Sequence, residues 1–153
     1  MAPKDLIQDE DYRALAEFRY QLRRFLRFSE QAARAAGLEP QHHQLLMAIK
    51  GLPLDKKPTI GVIAERMQLE HHSTVELIDR LEERGLVRRY RDKLDRRQVL
   101  VRVTPAAGEI LAELSAQHLT HLGSVGPTFI RVFRTIMTEA GGSIRKLKAA
   151  NER

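Results

Sequence analysis

A chain of 153 residues that is 42% hydrophobic and 30% charged can bury one sizeable core and is too apolar to be a disordered tail. The absence of cysteine excludes a disulfide framework, a thiolate nucleophile and a thiol redox switch, while a net charge of +6 favours a polyanionic partner: DNA, RNA or an anionic surface. No apolar stretch is long enough to cross a bilayer and the acidic start, Met1 to Glu10, has no signal-peptide core, so the expected location is the cytoplasm, with no membrane partner.

From Asp11 to Ala36, Leu15, Phe18, Leu22, Phe25, Ser29, Ala32 and Ala36 recur at steps of three and four, the pattern of a long helix with one apolar stripe, closed by Gly37. A second helix is predicted from Gln41 to Lys50, ended by Gly51, before a loop bracketed by Pro53 and Pro58. Thr59 can cap a short helix containing Ile60, Ile63, Ala64 and Met67. After a tight link at Gln68 to Glu70, the run His71 to Arg84 places Thr74, Leu77, Ile78 and Leu81 on one face, and Gly85 stops it. The free side carries His72, Ser73, Glu76 and Arg80, with Val75 at the boundary.

From Arg88 to Arg102 the period changes to two. Arg88 to Arg91 and the alternating Val99, Val101 and Val103 read as strands of a hairpin, with turn residues from Asp92 to Asp95. Seven basic residues against Asp92 and Asp95 leave this segment at +5, most of the excess of the whole chain. Thr104 and Pro105 then start a helix carrying Ile110, Leu111, Leu114 and Leu119, expected to end near Gly123. A last helical pattern from Thr128 presents Phe129, Val132, Phe133, Ile136 and Met137, with Gly141 and Gly142 as an interruption before Ile144.

Two short helices joined by a few residues form the unit that places its second helix in the major groove of duplex DNA. His71, His72, Ser73 and Thr74 occupy the first turn of that helix, where backbone amides and the helix dipole favour phosphate. Ser73 can donate to a phosphate, and His72 can do the same or face a guanine acceptor. Glu76 is repelled by phosphate unless it accepts from a cytosine amino group, and its spacing favours a pair with Arg80. Val75 would meet a thymine methyl group. A ribbon tip with Lys93, Arg96 and Arg97 suits the minor groove, while Arg88, Arg89 and Arg91 suit phosphates and Asp95 braces the turn.

The stretch "TIGVIAERMQLEHHSTVELIDRLEERGLVRRYRDKLDRRQVLVRVT" resembles the winged helix-turn-helix of the MarR family of bacterial transcription regulators. "STVELIDRLEERGLVRR" is similar to the family's recognition helix, and Asp95, Arg96 and Arg97 match its wing-tip "DRR". The resemblance implies a mainly α fold with a small β-hairpin wing: one domain over 1–153, dimerisation helices at 11–37 and 124–148, and a winged core at 53–104. It also implies a homodimer on a pseudo-palindromic operator, commonly a repressor, often released by a small aromatic or phenolic ligand. Leu15, Phe18, Phe129, Phe133 and Ile136 would then fill the dimer interface. Leu22, Phe25 and His43 would border the ligand cavity, although their apolar members suit a core equally well. Glu76, His71 and His72 depart from residues common at those positions, which leaves the operator sequence open.

Other chemistry finds little footing. The six histidines lack a cysteine or carboxylate pattern for a metal set, so no metal and no cofactor are expected. Ser73 lies beside His72, but neighbours on a helix rarely meet as nucleophile and base and no orienting acid follows, so an enzyme is not expected. The contrasting reading is a constitutive, architectural DNA binder without ligand response.

Overall fold

The computed structural model describes residues 3–138 and 141–151. After a 3-10 turn at Pro3–Leu6, the order is α1 (Asp9–Ala35), α2 (Pro40–Lys50), α3 (Ile60–Met67), α4 (His71–Glu83), β1 (Val87–Arg91), β2 (Val99–Val103), α5 (Pro105–Thr138) and α6 (Gly141–Asn151). The fold is thus mainly helical with one antiparallel hairpin, as expected. It divides into two compact units, Ser29–Gln117 and Met1–Phe28 with His118–Arg153.

In Ser29–Gln117, local chemistry places the helix ends. Gly37 and Gly85 have φ of 77° and 69°, a left-handed backbone that glycine adopts without the Cβ penalty, and they follow α1 and α4. Thr59 accepts the Val62 N–H at the start of α3. Gln68 closes α3 at φ 52°, a conformation uncommon outside glycine, and its side-chain amide donates to the Glu65 carbonyl at 2.8 Å. That cap compresses the link to α4 into three residues.

The core of this unit gathers Leu45, Leu46 and Ile49 of α2, Ile63 of α3, Leu77, Ile78 and Leu81 of α4, Val87 and Val101 of the hairpin, and Leu111 and Leu114 of α5. In the hairpin Val87 faces Val103 and Arg91 faces Val99. An additional bridge pairs Thr59 with Leu100, and the Val101 N–H donates to the Pro58 carbonyl at 2.9 Å, so the loop before α3 edges the ribbon. Thr104 Oγ1 donates to the Gly85 carbonyl at 2.8 Å and accepts from Ala107 N–H, joining the end of α4 to the start of α5.

In the other unit Ala14, Val132 and Ile136 form a small core with Phe18 and Ile144 against it. Buried Asp11 accepts from the Gln8 N–H and from Ser143 Oγ, both at 2.9 Å. Two expectations are corrected here. The helix that begins at Pro105 does not end near Gly123 but continues through Pro127 to Thr138. Proline removes one backbone donor, yet Val132 and Ile136 beyond it are buried and hold the following turns. Ile136, expected at the dimer interface, is 9% exposed within its own chain. The expected 124–148 helix also includes residues 139 and 140, which lie outside the described residues.

Leu81 is fully buried at the centre of the first core, so Leu81→Ala should lower unfolding stability by about 2–5 kcal/mol, read as a fall in the urea midpoint.

Candidate nucleic-acid interface

The thirteen residues of α4 divide cleanly. Leu77, Ile78 and Leu81 face the core, while His71, His72, Glu76 and Arg80 are exposed and Ser73 and Val75 are half-buried. Thr74 departs from the sequence expectation of a DNA contact: it is 0% exposed and its hydroxyl donates to the Glu70 carbonyl at 3.1 Å. It sits on the apolar face because it follows the same spacing as Leu77, Ile78 and Leu81. Glu70, the N-cap residue, makes no side-chain cap, which leaves the first-turn amides without a local carboxylate partner. The expected Glu76–Arg80 pair does not form among the described residues.

The hairpin sorts its cations by partner. Arg89 points back to α4: its guanidinium pairs with Glu82 and with Asp79 Oδ1 at 2.5 Å, and its backbone N–H donates to Glu82 Oε1 at 2.8 Å. Arg89 is therefore committed to bracing, a correction to its expected phosphate contact, because strand alternation turns it to the side of Val87 and Val101. The backbone N–H of Arg89, reinforced by its side chain, holds the Glu82 carboxyl below the usual carboxylate range. Arg88, Arg91, Lys93, Arg96 and Arg97 are exposed. Arg91 also donates to the Arg96 carbonyl at 3.2 Å, supporting the tip.

Two carboxylates shape the turn. Asp95 Oδ1 accepts from the Arg97 N–H at 3.1 Å and from Arg97 Nε at 3.3 Å, while the Arg97 side chain remains 93% exposed. Asp92 is buried; its Oδ2 accepts from Lys57 Nζ at 2.5 Å and its Oδ1 from the Leu94 N–H at 2.9 Å. The hydrogen bond from Lys57 is the main cause that holds the Asp92 carboxyl below its ordinary value. Sequence reading missed Lys57 because its partner is 35 residues away and no local pattern marks the pair.

A second unforeseen brace joins the end of α4 to α2. Arg84 Nη1 donates to His42 Nδ1 at 3.4 Å and Nη2 donates to the Gly37 carbonyl at 2.9 Å. Because a guanidinium only donates, His42 must be neutral with its proton on Nε2. Burial, then the charge of Arg84, lowers the His42 pKa; Glu39 opposes them, and Arg80 adds the least. His43, expected beside a ligand cavity, is buried on the same helix.

In the other unit, the apolar stripe of α1 remains largely open: Leu15 is 50% exposed, and Leu22 is exposed too. Phe18 packs against Phe133 with ring centres 6.2 Å apart, and Phe133 is itself 53% exposed. Phe18, Phe129, Ile130, Phe133, Arg134 and Met137 line an open groove of about 510 Å³. Phe25 lies edge-on to Phe129 and His118, and His121 stacks on Phe28 with centres 3.9 Å apart. Phe25 thus belongs to an aromatic and imidazole cluster that the notably plain spacing of α1 did not foretell, because half of it comes from α5.

Comparison with known proteins agrees with this fold. Residues 36–98 match the MarR family. An uncharacterised HTH-type transcriptional regulator, YsmB of Bacillus subtilis (strain 168), is 32% identical over 71 residues, which span 46% of this chain and about half, 49%, of that relative. Among solved structures, AbsC of Streptomyces coelicolor, a MarR family transcriptional regulator, superposes with a TM-score of 0.68 at 16% identity, covering 92% of this chain and 97% of that one. CouR from Rhodococcus jostii RHA1, bound to p-coumaroyl-CoA, gives 0.59 at 24% identity over 76% and 83% of the two chains. A Staphylococcus aureus MepR variant bound to an oligodeoxyribonucleotide gives 0.56 at 16% identity over 88% and 91%.

The His42–Arg84 contact has a definite pH sign. With its folded-state pKa lowered, His42 costs no stability above its ordinary value of 6.5 and progressively destabilises the fold as pH falls through that value towards the folded-state pKa. The urea midpoint of the wild-type protein should drop between about pH 7.5 and about pH 5 more steeply than that of His42→Gln. Parallel curves for the two proteins would remove His42 as the titrating group.

Proposed function

We propose that this chain, of which residues 36–98 match the MarR family, is a duplex-DNA-binding transcription regulator that acts as a homodimer on a pseudo-palindromic operator, most simply as a repressor. One observation carries the reading: a helix with one face in the core and one free is followed by a ribbon whose tip cations Lys93, Arg96 and Arg97 are all exposed. A protein that needed those cations only for solubility would gain nothing from bracing the turn beneath them.

In this reading α4 enters the major groove. Its first-turn amides, His71 and Ser73 meet phosphate, and His72, Val75 and Glu76 face base edges, with Arg80 towards the backbone. The wing follows the adjacent minor groove, where Arg96 and Arg97 respond to its width and potential, and Arg88 and Arg91 add phosphate contacts. Arg89 and Asp95 hold the ribbon and the tip in position.

Exposed Leu15, Leu22 and Phe133, with half-buried Phe18 and Phe129 beside them, support pairing with a second copy, since apolar side chains along helix faces gain most when covered. Two copies related by a twofold axis would read half-sites one helical turn apart. Release by a small aromatic ligand is the regulatory part of the proposal. The Phe25 cluster would offer such a ligand aromatic neighbours, and CouR, similar in fold, is bound to p-coumaroyl-CoA.

Selection of bound duplexes from a random pool should enrich a palindrome with half-sites about one turn apart. Salt-sensitive binding without any enriched motif would leave an architectural binder in its place. On the selected duplex, Arg97→Ala should weaken binding and reduce the slope of log K against log salt by about one. His72→Ala should change base preference at one position of each half-site; an unchanged motif would move His72 to the phosphate class.

A further inference from the structure

Leu94 is the one apolar residue in the turn between the strands of the wing, and it is 90% exposed. A single exposed leucine is ordinary on a protein surface, but this one is held in place. Its N–H donates to Asp92 Oδ1, and Asp92 is buried and fastened on its other oxygen by Lys57. The Asp92 N–H donates to the Gln98 carbonyl at 3.0 Å, and the Gln98 N–H to the Asp95 carbonyl at 2.9 Å. The turn therefore presents an apolar knob on a braced base, with exposed Lys93, Arg96 and Arg97 close by in the same turn of the sequence.

An apolar centre within a cationic rim matches the minor groove of duplex DNA. Phosphates form the anionic walls, and deoxyribose edges and base faces offer apolar surface between them, where leucine can press on or part a base step. An anionic membrane matches the rim as well, but one leucine buries far too little apolar surface to anchor a protein there. Resting on the regulator reading above, we infer that Leu94 is the apolar contact of the wing with the minor groove and selects for a deformable base step beneath it. Flexible pyrimidine–purine steps deform most cheaply, so they should be enriched where the wing lies.

Leu94→Ala and Leu94→Gln test this on the selected duplex. Both should fold as the wild type does, because the side chain is solvent-exposed, and thermal melting checks it. Each should bind about tenfold more weakly, with an unchanged salt slope, because an apolar contact releases no counterions. Repeating the selection with Leu94→Gln should flatten the preference at the wing positions and leave the α4 positions intact. Wild-type affinity in both variants overturns the inference while the regulator reading stands. A changed salt slope also overturns it, by showing that Leu94 acts only through the charges beside it. Leu94-dependent sedimentation with phosphatidylserine vesicles, without Leu94-dependent duplex binding, assigns the knob to a membrane instead. If the wild-type protein binds no duplex at any salt, the regulator reading fails and this inference with it.

Discussion

A thirteen-residue helix is marginal alone in water, so α4 exists because Leu77, Ile78 and Leu81 are taken into a core built by α2, α3, the hairpin and α5. That burial also fixes which side of the helix faces out. Rotating α4 to expose any of the three would uncover apolar surface and bury Glu76 or Arg80 without a partner, a cost that exceeds what a helix this short can recover. The exposed face is thus the complement of the packed face.

Charge is divided along the same lines. The hairpin needs its ribbon held against α4, and Arg89 does this with two carboxylates of that helix and a backbone donor. The tip needs a shape, which Asp92 and Asp95 supply by accepting backbone N–H groups of the turn. Cations that hold the fold are partly withdrawn from solvent by their partners, as Arg89 is; those at the tip stay exposed, Arg97 even while it pairs with Asp95. A ribbon organised this way can present positive charge to a polyanion with little ordering left to occur on binding.

The other unit is organised differently. Its buried core is small, Ala14, Val132 and Ile136 with Phe18 and Ile144, while Leu15, Leu22, Ile130, Phe133 and Met137 stay exposed along α1 and α5. The open aromatic groove beside them follows from the same imbalance: two long helices carry more apolar surface than their own side chains cover. Continuity of α5 through Pro127 to Thr138 lengthens that surface.

Much of this was present in the amino-acid order. Helical spacing, Thr59, Gly37, Gly85 and the Thr104–Pro105 start set the elements of the winged core, because caps and periodicity act over a few residues and depend on nothing distant. The switch from period three and four to period two located the hairpin, and the turn chemistry of Asp92 and Asp95 was legible for the same reason. What remained hidden depended on partners far along the chain. Lys57 with Asp92, Arg84 with His42 and Arg89 with Asp79 meet only after the elements pack, so the sequence could count their charges but not tell which would be spent on the fold. Pattern along the chain determined the helices, the ribbon and the excess of positive charge; three-dimensional packing decided that Thr74, Arg89 and Ile136 turn inward, and that Arg97 and Leu94 stay out, because burial and pairing are properties of neighbours in space.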